Sequence, residues 1–198
     1  MARGLLIALV VIVALVGAVA AWAVSVNNQL VRLDQDVNEK WAQVQNVYQR
    51  RADLVPNLVE TVKGFAAQER TVLEEVTKAR ASASSIQLTP EALKDPKALE
   101  KFQAAQSQLS GALSRLLVTV ERYPELKSNQ NFLALQSQLE GTENRITVER
   151  RKFNESVRDY NTRLRLFPGS LVVGFSGFQA RPFFEAAPDA ATVPKVKF

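Results

Sequence analysis

The chain contains no cysteine and no histidine. Disulfides, lipid attachment through a cysteine thioether and Cys/His zinc sites are therefore excluded. A Ser-His or Cys-His nucleophile is excluded as well, and the commonest general base is missing. Any chemistry would fall to carboxylates, Lys, Tyr and Ser. No metal and no enzymatic cofactor is expected, because soft and imidazole ligands are absent and oxygen-only sites need acids clustered in loops. Proline and glycine are also scarce, and neither occurs between Ala18 and Val55. No period-two alternation persists, so strands are not expected and the class is all-α. The net charge of +5 is spread over segments of mixed sign. That pattern suits anionic lipid headgroups and not a nucleic-acid groove, which needs a concentrated basic face with stacking aromatics.

What the chain has in abundance is one long apolar run. From Gly4 to Val26 no side chain is charged, and as a helix this stretch spans roughly 33 Å at about 1.5 Å per residue, enough for a bilayer core. The competing reading is a cleaved secretory signal, with Arg3 as its positive end and Ala18-Val19-Ala20 as an A-x-A site. Against it, the run continues past that site through Trp22 and Val26, and Trp22 stands where an interfacial aromatic belongs. A single-pass anchor in the cell membrane is the expectation. Arg3 flanks one side and Arg32 and Lys40 the other, so the positive-inside rule selects neither orientation.

Beyond the run the chain is written in three-four steps. The first seam passes through Leu30, Leu33, Val37, Trp41, Val44, Tyr48, Arg51, Val55, Leu58, Val62, Phe65, Glu69, Val72, Val76 and Ala79, the repeat of a helix packed at coiled-coil angles. Pro56 interrupts the ladder without changing its phase, which favours a kinked continuous helix over a reversal at that point. Ser82 to Ser85 fade the helix out, and Thr89-Pro90 and Asp95-Pro96 read as cap-plus-first-turn pairs that restart it. A second seam follows through Leu99, Phe102, Gln106, Leu109, Leu113, Leu116 and Val120. After Tyr123-Pro124, Ser128 or Asn129 caps a third, in which Phe132, Leu139, Ile146, Phe153, Tyr160 and Phe167 fall seven apart.

These patterns predict an N-terminal transmembrane helix continuing into an elongated antiparallel helical bundle with coiled-coil-like packing. Residues 1–26 form the anchor and 27–168 the bundle. Residues 169–185 form an apolar aromatic segment in which the helical code stops, and 186–198 an Ala/Pro-rich disordered tail. The aromatic segment is expected to fold back over one end of the bundle, with a membrane or subunit contact as the alternative. Up-down-up packing leaves the third helix overhanging the second. A four-helix alternative reversing at Pro56 matches lengths better but lacks turn residues there.

Three polar motifs stand out. The first is Arg50-Arg51-Ala52-Asp53-Leu54-Val55-Pro56-Asn57-Leu58-Val59-Glu60. The second is Tyr123-Pro124-Glu125-Leu126 with Asn131-Phe132, running on to Glu143-Asn144. The third is Glu149-Arg150-Arg151-Lys152-Phe153-Asn154, then Tyr160-Asn161 and Phe167-Pro168. In this order and spacing, behind an N-terminal membrane run, they resemble the LemA family of bacterial membrane proteins over roughly residues 1–185. The resemblance implies a single membrane segment and a long all-α domain, with no established enzymatic activity. Members are often encoded beside a membrane metalloprotease of the HtpX type, and a relative takes part in building magnetosome membranes. Many relatives carry a lipid-attachment cysteine that this chain lacks, so lipidation does not carry over.

Read physically, Arg51, Asp53, Asn57 and Glu60 lie near Pro56, where freed carbonyls can accept from Arg or Asn57. Glu140, Glu143 and Glu149 with Arg145, Arg150 and Arg151 can pair with that segment across helices, setting register. The functional expectation is a membrane-anchored scaffold or assembly protein without catalytic activity, self-associating or binding another membrane protein. The alternative is an adaptor of a membrane protease such as the HtpX type. More remote is a carboxylate-dependent enzyme, for which no feature suggests a pocket.

Overall fold

The computed structural model describes residues 2–185. Among these there is no strand; the helices are α1 (Ala2–Phe65), α2 (Arg70–Ser85), α3 (Pro96–Val120), α4 (Pro124–Lys127), α5 (Gln130–Arg165) and α6 (Gly169–Ser176), with a 3-10 turn at Ala92–Lys94. The expected tail at 186–198 lies outside the described residues.

α1 is one helix of 64 residues. Its first part is apolar and exposed; from Val26 onward it buries Leu30, Val37, Trp41, Val44, Tyr48, Arg51, Val55, Leu58 and Val62, the seam that the three-four steps trace. Pro56 sits inside the helix, which continues past it. Proline has no N–H to offer the carbonyl of residue 52, and that carbonyl instead accepts from Arg80 Nε at 2.7 Å. An arginine does satisfy the orphaned group, but it comes from α2 and not from α1's own Arg51.

The chain reverses at Ala66–Glu69, ten residues beyond Pro56. The continuous seam expected to Ala79 is therefore two antiparallel helices. Phe65, Glu69 and Val72 keep the heptad phase, yet Phe65 is exposed, Val72 is half-buried, and the residues that enter the core are Ala66, Leu73, Val76 and Ala83. The result is an up-down-up-down bundle of α1, α2, α3 and α5, which removes the length conflict. The 36-residue α5 spans about 54 Å and matches α1 from Leu30 to Phe65. The shorter α2 and α3 cover the end remote from the apolar run, and the start of α3, through Leu99 and Phe102, reaches the core nearer to it.

The start signals behave unequally. Asp95 caps α3 by accepting from the Lys97 N–H at 3.0 Å, with Pro96 in the first turn. Asn129, not Ser128, caps α5, accepting from the Asn131 and Phe132 N–H groups. Thr89 Oγ1 accepts from the Ala92 N–H and starts only the 3-10 turn. In α5 the seven-residue repeat is buried from Phe132 to Tyr160 but not at Phe167, because the helix ends at Arg165. Where helical order was expected to stop, α6 forms. From Gly177 the chain returns along α5 as an extended strap to Glu185.

Two cores result. The far core packs Leu58 and Val62, Leu73 and Val76, Leu109 and Leu116, Leu126, and Phe132 and Leu139, drawn from α1 to α5. The near core, toward the apolar run, packs Leu30 and Trp41 with Phe102, Phe153, Tyr160, Leu164 and Phe184.

Candidate functional site: two buried arginines and a clamped strap

Among the described residues two cations are buried, Arg51 and Arg181. Arg51 is 2% exposed and lies where α1, α3 and α5 meet. Its Nη1 donates to Ser110 Oγ at 2.8 Å and to Glu143 Oε2 at 3.0 Å; its Nη2 donates to Gln106 Oε1 at 2.5 Å and to the Gln106 carbonyl at 3.2 Å. The guanidinium also stands over the Tyr48 ring, 5.1 Å from its centroid. Gln106 in turn donates to the Ala83 carbonyl, so the network reaches all four bundle helices. Planar, multidentate guanidinium bonding of this kind fixes relative heights as well as neutralising charge.

Arg181, 3% exposed, is the second. From the strap it donates through Nε and Nη2 to Asp34 Oδ1 on α1, at 3.1 and 2.7 Å, and through Nη1 to the Pro90 carbonyl at 2.7 Å. One side chain ties the strap to α1 and to the connection before α3.

The third motif holds the strap. An extended chain without a strand partner must satisfy its own N–H and C=O groups, and α5 supplies the partners. Asn161 donates to the Arg181 carbonyl at 2.8 Å and accepts from the Arg181 N–H at 2.9 Å. Asn154 does the same with Phe184, at 3.0 and 2.9 Å. Each amide thus imitates a strand's paired backbone groups. The Tyr160 hydroxyl donates to the Gln179 carbonyl; Arg150 donates to the Glu185 carbonyl and stands over the Phe184 ring at 4.7 Å. Phe184 completes an aromatic cluster, stacked on Trp41 at 5.8 Å and edge-on to Phe153 at 5.4 Å. The indole N–H of Trp41 donates to the Leu88 carbonyl.

The second motif closes the opposite end. Tyr123 donates to Glu69 Oε1 at 2.7 Å and accepts from Gln68 at 3.0 Å, pinning the α1–α2 turn, while Pro124 opens α4. The remaining candidates lie apart from these networks. Arg50, Pro56, Asn57 and Asn131 are exposed. Asp53 accepts from Gln49 within α1, Glu60 pairs with Lys63, and Glu149 pairs with Lys152 within α5. Of the interhelical pairs expected between α5 and the Arg51 segment, Glu143–Arg51 forms. Phe167 is exposed beside Trp22, with ring centroids 6.0 Å apart, and Pro168 precedes α6.

Burial pushes Tyr160 up to about 12, with the Asp34 carboxylate adding to the shift and Arg181 opposing it. Burial also raises Tyr48, and the hydrogen bond to Glu69 raises Tyr123. Each shift favours the neutral phenol, the form in which Tyr160 and Tyr123 donate their hydrogen bonds.

The partners that the motif reading passed over are Asp34, Arg80, Gln106, Ser110 and Arg181. Arg181 carried a usable signal, a lone charge inside an aromatic segment. Arg80 carried none.

The LemA family model matches residues 40–198, which takes in the Arg51 network, the Tyr123 clamp and the strap ladder. The chain belongs to the LemA family. Among curated proteins nothing matches it. Within this LemA family chain the family-like motifs thus divide into exposed positions and positions that bind one part of the fold to another.

Proposed function

We propose that this LemA family protein is a single-pass membrane scaffold that carries no catalytic activity and assembles with copies of itself or with another membrane protein. The observation that carries this reading is the continuity of α1. One helix holds a stretch long and apolar enough to cross a bilayer, none of it buried by protein, and then supplies the central seam of both cores. A bundle built onto its own anchor is held at a set height and angle above the lipid. A flexible linker would give up that control of position. The two charges buried among the described residues, Arg51 and Arg181, support the same reading, since both are engaged in interhelical or strap contacts.

Extraction in mild detergent, native mass measurement and identification of co-purifying proteins test the proposal. The expected result is an assembly heavier than the 21.9 kDa chain, formed by further copies or a membrane partner. A monodisperse monomer with nothing bound overturns it. Intact mass of the extracted protein tests the anchor separately: a mature N-terminus near Ala21 would mean the run is a removed signal.

A further inference from the structure

We propose that α6 is a second membrane contact, a short helix whose outer face rests in the lipid interface beside the point where α1 leaves the bilayer. This inference rests on reading Gly4–Val26 as the anchor. The Phe167 ring lies against Trp22 at 6.0 Å, so the turn into α6 reaches the level of the last residues of the apolar run. From Leu166 to Ala180 no side chain is charged, while Arg163, Arg165 and Arg181 bracket the segment.

The helix is apolar on two sides. Val172 and Val173, with Phe178 after them, pack on the near core and are half-buried. Within α6, Leu171 and Phe175 are four residues apart, hence on one face, and are 55% and 96% exposed; Phe167, in the turn before the helix, is 71% exposed. The inner face is covered by protein; the outer one is not. That outer face is continuous, through Trp22, with a helix surface whose apolar length calls for lipid, so lipid is the occupant that fits both. Aromatic side chains at this height suit the headgroup boundary, and the exposed Arg165 at the end of α5 suits its phosphates.

The position of α6 is also held firmly. A Cβ on Gly169 would lie 2.0 Å from the Arg163 carbonyl oxygen, so only glycine lets the chain turn this tightly against the end of α5. The outer face is therefore presented at a set place on the bundle.

Because the chain has no cysteine, single-cysteine variants can carry an environment-sensitive fluorophore in the full-length protein, reconstituted into vesicles of phosphatidylcholine and phosphatidylglycerol containing nitroxide lipids. Val13→Cys reports on the anchor and Phe175→Cys on α6. Val118→Cys, 71% exposed on α3, reports on the remote end. The expected result is deep-nitroxide quenching at 13 and headgroup-level quenching at 175 exceeding that at 118 by about threefold or more. Quenching at 13 with 175 no different from 118 overturns the inference and leaves the anchor standing. No quenching at 13 removes the anchor and the inference together. A blue shift at 175 without quenching signifies a protein contact, such as a second copy, and overturns the inference. Phe175→Asp should leave the melting temperature unchanged while abolishing blue-shifted emission from a label at Leu171→Cys; a lowered melting temperature would mean that this face packs within the protein.

Discussion

Around Leu58 the chain surrounds itself with helices on every side, whereas around Leu30 only α1 and α5 run together and the strap with α6 fills the remaining wall. The far core is mostly aliphatic and its walls satisfy their own backbones. The near core is aromatic and needs Asn154, Tyr160, Asn161 and Arg181 to serve a wall that makes no ladder of its own. Regular elements can be held by apolar burial alone, while an irregular wall also demands polar side chains at set positions. That is why the densest polar motif falls on the near half of α5.

The largest effect is expected from Trp41→Ala, which removes the ring that joins α1 to Phe102, Phe153 and Phe184. It should cost about 4 kcal/mol, read as a lowered denaturant midpoint. Hydrogen exchange should show the loss concentrated in the near half. Equal deprotection of α2 and the end of α3 would erase the distinction between the halves.

Arg51→Ala comes next. It strands the buried Gln106 oxygen, but the acid it leaves, Glu143, is already 54% exposed. The cost should therefore fall at the low end for a broken buried pair, about 3 kcal/mol. Because the residue joins helices of the far half, its exchange signature should complement that of Trp41→Ala; a loss confined to the strap would contradict this assignment.

Asn161→Ala removes one donor and one acceptor from the strap, for about 2 kcal/mol at about 1 kcal/mol per bond. Amides of residues 177–185 should exchange faster with the far core unchanged. Retained protection at Arg181 would show that the side-chain amide is dispensable.

The smallest effect is on alkaline stability. Tyr160 binds its proton more tightly folded than unfolded, since its value rises from 10.0 to about 12. Its contribution is complete below pH 10 and is lost as pH climbs to about 12. Tyr160→Phe should flatten the melting temperature across that window; an identical decline in both proteins would assign the alkaline loss to other groups.

Much of the local structure was legible. The seams of α3 and of α5 up to Tyr160, the Asp95-Pro96 start, a start of α5 at Ser128 or Asn129, and the passage of α1 through Pro56 all follow from spacing and from backbone chemistry that acts within one turn. Periodicity says which face of a helix is buried but not what buries it. Phe65, Glu69 and Val72 therefore concealed the reversal at Ala66–Glu69 by keeping phase across it. α6 escaped notice because its outward apolar stripe breaks the pattern of one wet face on which helix recognition relies. The amino-acid sequence by itself determined an all-α chain with one apolar run and polar motifs at set intervals. The tertiary structure decided that Arg80 serves the carbonyl freed by Pro56, that Arg51 meets Glu143, and that Arg181 meets Asp34, 147 residues away. Charge and donor geometry at one residue dictate a need, and only the path of the folded chain determines which distant group arrives to meet it.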